Sequence, residues 1–404
     1  MNLREEQTRS IIVWSAIGAL LFFIAVAAVT KVVDLRQDYT THIKIASGIT
    51  LRGLFHPIAF LRENCYPVWH ILVWLTTKVF GCGGRSAAAV VTGGSVVGTW
   101  ACAALYFSRR YWGRDKDIAR LASIGLILVA PIWLPFFNPN LIIGQGGPNL
   151  LHNPTNLMVR FVAFPCFVWY AAIMDGIGKE SSPRLAGYKL FVLSLFVFLA
   201  TLSKPSFVQM FFPAMFLLAL FKMIKYRKAA IWSIATVAIS FIPSIFLMGL
   251  QAWVSFYSSQ GDGSGVAIAF MKVYSHFSPN IFVSVMLGIL FPLIMLSWSI
   301  RTRKFSTVEL LAWIMYGVAF TEGSLLIETG RRMWHANFCW GTNLALFFLW
   351  FTAIDRFISL AELGKTHATS ERNWWFWSAV AALSLHLVSG LCYLWRVLVF
   401  GIWS

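Results

Sequence analysis

Apolar runs of about twenty residues recur from residue 10 to residue 400 of this 404-residue chain, and nothing else constrains its fold so strongly. A run of that length matches the hydrocarbon thickness of a bilayer as a helix, and in lipid only helices and closed barrels satisfy their own backbone. The chain is 58% hydrophobic and only 12% charged, about half the charged fraction of a soluble domain. These features predict an all-α polytopic membrane protein without a soluble domain. The first run, Ser10–Thr30, follows a charged segment as a signal peptide would, but its length and the many runs after it read as an uncleaved span.

A net charge of +17 would suggest nucleic acid in a soluble protein. Here the cations cluster between apolar runs, at 108–120, 178–189, 221–228, 299–304 and 355–372. Such clusters set topology by the positive-inside rule, and no nucleic-acid partner is expected. With the N-terminus and all five clusters in the cytoplasm, that side holds more than half of the 33 Lys and Arg. This works if "YPVWHILVWLTTKVFG" (66–81) lies in the outer interface rather than crossing. At helical spacing His70, Trp74, Thr77 and Lys78 share one face and Val68, Leu72, Leu75 and Val79 another, as an interfacial helix requires. About eleven crossings follow (ten to thirteen): 10–30, 86–107, 119–137, 157–174, 190–203, 206–221, 229–249, 279–298, 306–326, 338–354 and 374–396. The first external loop, 31–85, is long.

That topology gathers the non-topological polar residues on the outer face. In "DLRQDYTTHIKIA", Asp38 and His42 lie four apart and would share a helical face, so Asp38 reads as a general base tuned by His42 or, equally, as a helix cap. Asp34 is a second acid, or a solvated residue at the end of the first span. The candidate substrate-binding residues are His70, Asn149, His152, Asn153, Lys204, Glu328, Arg331, Arg332, His335 and Trp340. Arginine forks and a lysine point charge suit phosphate, amides suit sugar hydroxyls, and tryptophan suits a sugar face. Each also has a plainer reading: Lys204 as a snorkelling cation, Asn153 as the cap of the helix opened by Pro154, and the tryptophans as an aromatic belt. Metal-ligand motifs are missing, so no metal or other cofactor is expected. The six cysteines form no CxxC pair and read as free thiols, although Cys65 and Cys82 flank one segment and could bridge.

The order "DYTTHIKIA", "YPVWHILVWLTTKVFG", "SRRYWGRD" over residues 10–150 resembles the GT-C glycosyltransferases of the aminoarabinose and protein O-mannosyl branches. Tyr39 stands where those enzymes carry a second acid, and Pro67 alone remains of the prolines before their juxtamembrane helix. The resemblance implies one integral membrane domain with a GT-C-like catalytic module at 10–225 and a variable helical module at 229–404. It implies transfer of a sugar from a polyprenyl phosphate donor to a glycan, lipid or protein acceptor, in a bacterial cytoplasmic membrane with the active site outside. A transporter or flippase of lipid-linked glycans is the alternative, although internal repeats and midplane polar residues are not evident.

Overall fold

The computed structural model describes residues 3–33, 37–111, 116–139, 146–149, 151, 153–177, 187–257, 265–366 and 370–401. Asp34 and His152 lie outside the described residues, and so does the side chain of Arg331. The chain is helical almost throughout. The long α1 (Leu3–Val33) leads into four short helices, α2 (Gln37–Ser47), α3 (Leu51–Leu54), α4 (Pro57–Glu63) and α5 (Val68–Phe80). Then follow α6 (Gly84–Arg110), α7 (Lys116–Leu128), α8 (Pro154–Gly176), α9 (Gly187–Ser203), α10 (Pro205–Tyr226), α11 (Lys228–Ile239) and α12 (Ile242–Tyr257). The remainder comprises α13 (Lys272–Phe277), α14 (Ile281–Thr302), α15 (Thr307–Leu325), α16 (Trp340–Thr366) and α17 (Ser370–Phe400). Strands β1 (Val266–Ile268) and β2 (Leu326–Glu328) pair antiparallel, with Ala267 opposite Ile327.

Seven of these helices are long and apolar enough to cross a membrane, and α11 with α12, bent by 46°, makes an eighth if taken as one span. The protein is therefore a polytopic helical membrane protein, but not all eleven expected crossings reach that standard. The expected span at 190–203 is the 17-residue α9, and that at 306–326 is α15, which carries Glu309 and Glu322.

The clearest departure is at 119–137, where the helix stops at Leu128. Pro131 cannot donate and disfavours helical geometry at the residue before it. The freed backbone groups find partners on two distant helices. Ala130 N–H donates to His386 O (3.3 Å), Ile132 N–H to Leu287 O (2.9 Å) and Trp133 N–H to Ser389 Oγ (3.1 Å). Ser389 Oγ–H in turn donates to Pro131 O. Non-helical backbone at membrane depth is tolerated only with such partners. The approach of α17 is so close that a Cβ on Gly390 would lie 1.7 Å from Leu128 O.

The core is aromatic. Phe164 and Phe167 of α8, Phe207 and Phe211 of α10, and Phe347, Phe348 and Phe351 of α16 are all buried and pack as rings 4.6–6.5 Å apart. The central α16 is the most enclosed of the spans. The two ends of the bundle differ in kind. At one end Arg110 bonds Asp355 (3.0 Å), Arg356 bonds Ser299 and Thr302, and Thr307 bonds Asp175. The basic clusters at 221–228 and 299–304 sit at the helix ends of that same side. The opposite end carries α2–α5, the β1–β2 pair and the starts of α8, α10 and α16.

Candidate functional site

Helix α5 explains how the loop between α1 and α6 is held. Trp69, His70, Val73 and Trp74 are buried while Leu72, Leu75 and Val79 are exposed. The polar, aromatic stripe therefore faces protein and the aliphatic stripe faces outward, as an interfacial helix would present it to lipid. Trp69 Nε1–H donates to Thr92 of α6 at 3.1 Å and its ring meets Tyr39 edge-on. Tyr39 is fully buried and donates from its hydroxyl to Leu151 O at 2.9 Å. These contacts clamp α2 between α5 and the segment before α8. They fix the one helical face that bears Asp38 and His42.

His42 Nδ1 lies 2.9 Å from His70 Nε2, and His70 Nδ1 lies 3.3 Å from Tyr66 O. A carbonyl only accepts, so His70 Nδ1 carries the proton and its Nε2 accepts from His42 Nδ1–H. His42 Nε2 is then an unprotonated lone pair. Burial holds both rings neutral: it drives His70 down to about 4, and burial together with the neighbouring His70 and Lys204 charges drives His42 well below its ordinary value. His42 thus pairs with His70 rather than with Asp38.

Lys204 is the centre of the cluster. It is buried as the residue before α10, and its Nζ donates to Asn153 Oδ1 and Thr155 Oγ1, each at 3.0 Å. It lies over the rings of Trp340 (5.3 Å) and Tyr66 (5.8 Å). An ammonium has three N–H groups, so one remains for a ligand. Asn153 does two things, since its Oδ1 also caps α8 by accepting from Asn156 N–H. Three helix starts meet here: α8 and α10, each opened by a proline, and α16, opened by Trp340. The partial positive ends of those helices add to the lysine charge, and together they suit an anion. Desolvation lowers Lys204 to about 7, against the pull of Asp38.

Asp38 lies in the first turn of α2 and makes no hydrogen bond or ion pair among the described residues. Desolvation by its surroundings raises its pKa, opposed by the charges of Lys204 and His335. Opposite stands the segment after β2. Glu328 Oε2 accepts from Asn337 Nδ2 and faces Arg332 Nε at 3.6 Å. Trp340 Nε1–H donates to His335 O at 3.2 Å. Burial pushes the Tyr66 phenol up to about 12, with smaller contributions from Cys65, Arg332, Asp38 and Glu328, so it lies near charges of both α2 and the 328–335 segment.

Of the residues singled out in the sequence, Asp38, His42, His70, Asn153, Lys204, Glu328, Arg332, His335 and Trp340 gather at this end. Asn149 does not. Its amide donates to Leu126 O and Val129 O and accepts from Arg160, bracing the end of α7 against α8. Tyr66 and Thr155 were not anticipated; each adjoins a predicted element, but neither has a periodic signal. Cys65 and Cys82 form no disulfide with each other. Among the described residues no three metal-ligating side chains come together.

No family model matches the sequence, and no curated protein matches it. The chain is similar to ArnT from Cupriavidus metallidurans, solved bound to undecaprenyl phosphate, at a TM-score of 0.48 and 15% identity, over 97% of this chain and 73% of that one. The chemistry of the site rests on its own residues.

A groove of about 1010 Å³ runs between α10, α12 and α15 and is lined by apolar side chains such as Phe212, Phe216 and Met248. Its polar end holds Gln209, Thr321 and Glu322. A Cβ on Gly341, the residue after Trp340, would lie 3.9 Å from Glu322 Oε2, so the groove ends beside the cluster.

Proposed function

We propose that this protein is a membrane glycosyltransferase that moves a hexose or pentose from a polyprenyl phosphate carrier to an acceptor hydroxyl, at the membrane face that carries Asp38 and Lys204. The observation that carries the reading is a buried lysine at three converging helix starts, with a carboxylate in its field that pairs with none of the described residues. A lipid phosphodiester fits the lysine, and Arg332 is the second cation. The apolar groove beside Glu322 suits a polyprenyl tail.

In the proposed reaction the acceptor oxygen attacks the anomeric carbon while Asp38 takes its proton. The bond from that carbon to the phosphate oxygen breaks, and its electron pair leaves with the lipid phosphate. Burial raises the pKa of Asp38 above the ordinary carboxylate value, which makes it a better proton acceptor. Lys204 and Arg332 stabilise the charge that develops on the leaving phosphate, and the transition state is oxocarbenium-like. The lone pair on His42 Nε2 can accept from a sugar or acceptor hydroxyl. Tyr66 and Trp340 offer faces to the sugar ring. We take this face as external because the basic clusters at 221–228 and 299–304 sit at the other end.

The test incubates the purified protein with a panel of polyprenyl-phosphate-linked sugars and follows release of the free lipid phosphate. Asp38→Asn should fold normally, by circular dichroism and thermal unfolding, and release it about 10²–10⁴-fold more slowly. Full turnover in Asp38→Asn would remove Asp38 as the base.

A further inference from the structure

Three helices place an apolar groove at the basic end of the bundle. Helices α6 and α9 each pack along α8 but scarcely meet one another, so α8 is the floor and the other two are walls. The groove measures about 850 Å³, inside the range of about 300–1,000 Å³ in which proteins enclose small molecules. Each helix gives it one stripe. On α6 the stripe is Cys102, Leu105, Tyr106 and Arg109, and on α8 it is Pro165, Val168, Trp169, Ala172 and Gly176. These spacings of three and four put residues on one helical face. On α9 Lys189 and Phe196, seven apart, share a face in the same way. None of these residues is buried.

The stripes run in register. Arg109 lies in the last turn of α6, Lys189 in the first turn of α9, and Gly176 ends α8, so the two cations stand at the same end of the groove. Cys102 and Phe196 lie about 10 Å deeper along their helices, and Pro165 lies about 16 Å from Gly176. That depth matches one leaflet, half of a hydrocarbon core about 30 Å thick. Ala172 and Gly176, the smallest residues of the floor, lie toward the cations and leave room there. A cation that only sets topology needs no particular face of its helix. Arg109 and Lys189 instead continue the apolar stripes, and neither makes a hydrogen bond or ion pair among the described residues. Arg110, beside them, is held by Asp355. Among the described residues no Asp or Glu lines the groove. Its charge therefore complements an apolar chain that carries an anionic head.

We propose that this groove binds an anionic phospholipid from the leaflet at the basic end, with one acyl chain along α8 and the phosphate between Arg109 and Lys189. Basic pockets between membrane helices suit such headgroups, and each cation adds roughly fivefold to the affinity. The site lies at the opposite end from the Lys204 cluster and does not rest on the proposed transfer reaction.

The experiment uses the full chain in phosphatidylcholine nanodiscs. These contain a small, equal fraction of either phosphatidylglycerol or phosphatidylcholine with a diazirine at the end of one acyl chain. Irradiation followed by peptide mass spectrometry locates the cross-links. The phosphatidylglycerol probe should mark residues 102–106 and 164–169, at the deep end of the groove, about tenfold or more above the phosphatidylcholine probe. Arg109→Gln with Lys189→Gln should bring the two probes level. Arg303→Gln with Lys304→Gln, at the same end but outside the groove, should leave the ratio unchanged. If the first pair does not fold, by thermal unfolding, Arg109→Gln alone should lower the ratio about fivefold. Ala172→Phe narrows the groove and should remove the marks of both probes. Equal marking by the two probes overturns the proposal, because the groove would then take any chain. An equal loss in the Arg303, Lys304 variant overturns it too, since the preference would belong to the charge of the whole face. Marks that avoid the groove, or that survive Ala172→Phe, do the same.

Discussion

Lys204 gives the sharpest test of how the site holds a phosphate. Its pKa falls from 10.5 to about 7 because the ammonium is buried, with Asp38 only partly offsetting that loss. Near neutral pH the empty site therefore holds a lysine that is about half protonated. A phosphodiester lipid does not titrate in this range, and it binds only the charged form well. Its affinity should be nearly flat below pH 7 and fall about tenfold per unit above it, for as long as the bound complex keeps the proton. Between pH 6.5 and 8.5 a site pKa of 7 predicts a loss of about 25-fold. The assay is equilibrium binding of a polyprenyl-phosphate-linked sugar to the purified protein by calorimetry, in two buffers of different ionisation heat. Above pH 7 binding should take up protons, which the buffer comparison reads directly. Lys204→Arg keeps a charge at every pH in this range, so its affinity should be flat. Lys204→Met should bind weakly and also be flat. A flat profile in the unaltered protein would refute the lowered lysine. The same 25-fold slope in Lys204→Arg would assign the proton to a group other than Lys204.

Other outcomes follow from the same geometry. Asp38→Asn should reduce transfer by about 10²–10⁴-fold while leaving the melting temperature unchanged or slightly higher, since it removes a desolvated charge that has no hydrogen bond. Gly390→Ala should destabilise the fold by about 1–3 kcal/mol or more, read by thermal unfolding in detergent, because the added methyl meets Leu128 O and must push α17 away from the broken span. Asp355→Ala should cost about 1–2 kcal/mol by the same measure, because it removes an acceptor of the buried Tyr111 hydroxyl, while the half-exposed Arg110 loses a partner but can be solvated. Membrane-impermeant labelling of Lys304→Cys and of His276→Cys in intact cells should report opposite faces, and labelling of both from one side would break the assignment of the two ends.

The membrane architecture was legible because hydropathy acts locally: a run of twenty apolar residues reads as a helix wherever its neighbours lie. The break at Leu128 was not, because "GLILVAPIWLP" is as apolar as a span, and Pro131 alone cannot say whether a helix kinks or ends. What decided it were acceptors and donors on α14 and α17, more than 150 residues away. The site divides similarly. The spacing of Asp38 and His42 placed them on one helical face, and proline after Asn153 and after Lys204 marked two helix starts. That His42 would meet His70, and Lys204 would reach Asn153, depends on how α5 and α8 pack against their neighbours. Asn149 shows the converse: an amide in a Gly/Pro-rich turn looks available to a sugar until two carbonyls at the end of α7 engage it. Arg160 left one signal, a single charge inside the run "NLMVRFVAF". That it would meet Asn149 and the Phe347 ring is a matter of packing, which spacing does not reveal.

The way the cluster is built also bears on why the lysine sits where it does. A cation at a membrane surface would normally reach toward water or headgroups and stay charged. Lys204 instead points into protein, between two aromatic rings, and receives two neutral oxygens rather than a carboxylate. A salt bridge in its place would hold the charge but also satisfy it, and an arriving phosphate would have to displace a carboxylate. Neutral acceptors and helix starts leave the charge unsatisfied until an anion enters, and so the energy of burial is recovered on binding. Asp38 is kept near enough to be felt but too far to pair, so it is free to accept a proton. Moving that carboxylate one atom closer, as in Asp38→Glu, should therefore weaken phosphate binding even though charge and chemistry are unchanged. Tighter binding in Asp38→Glu would show that the separation has no such role.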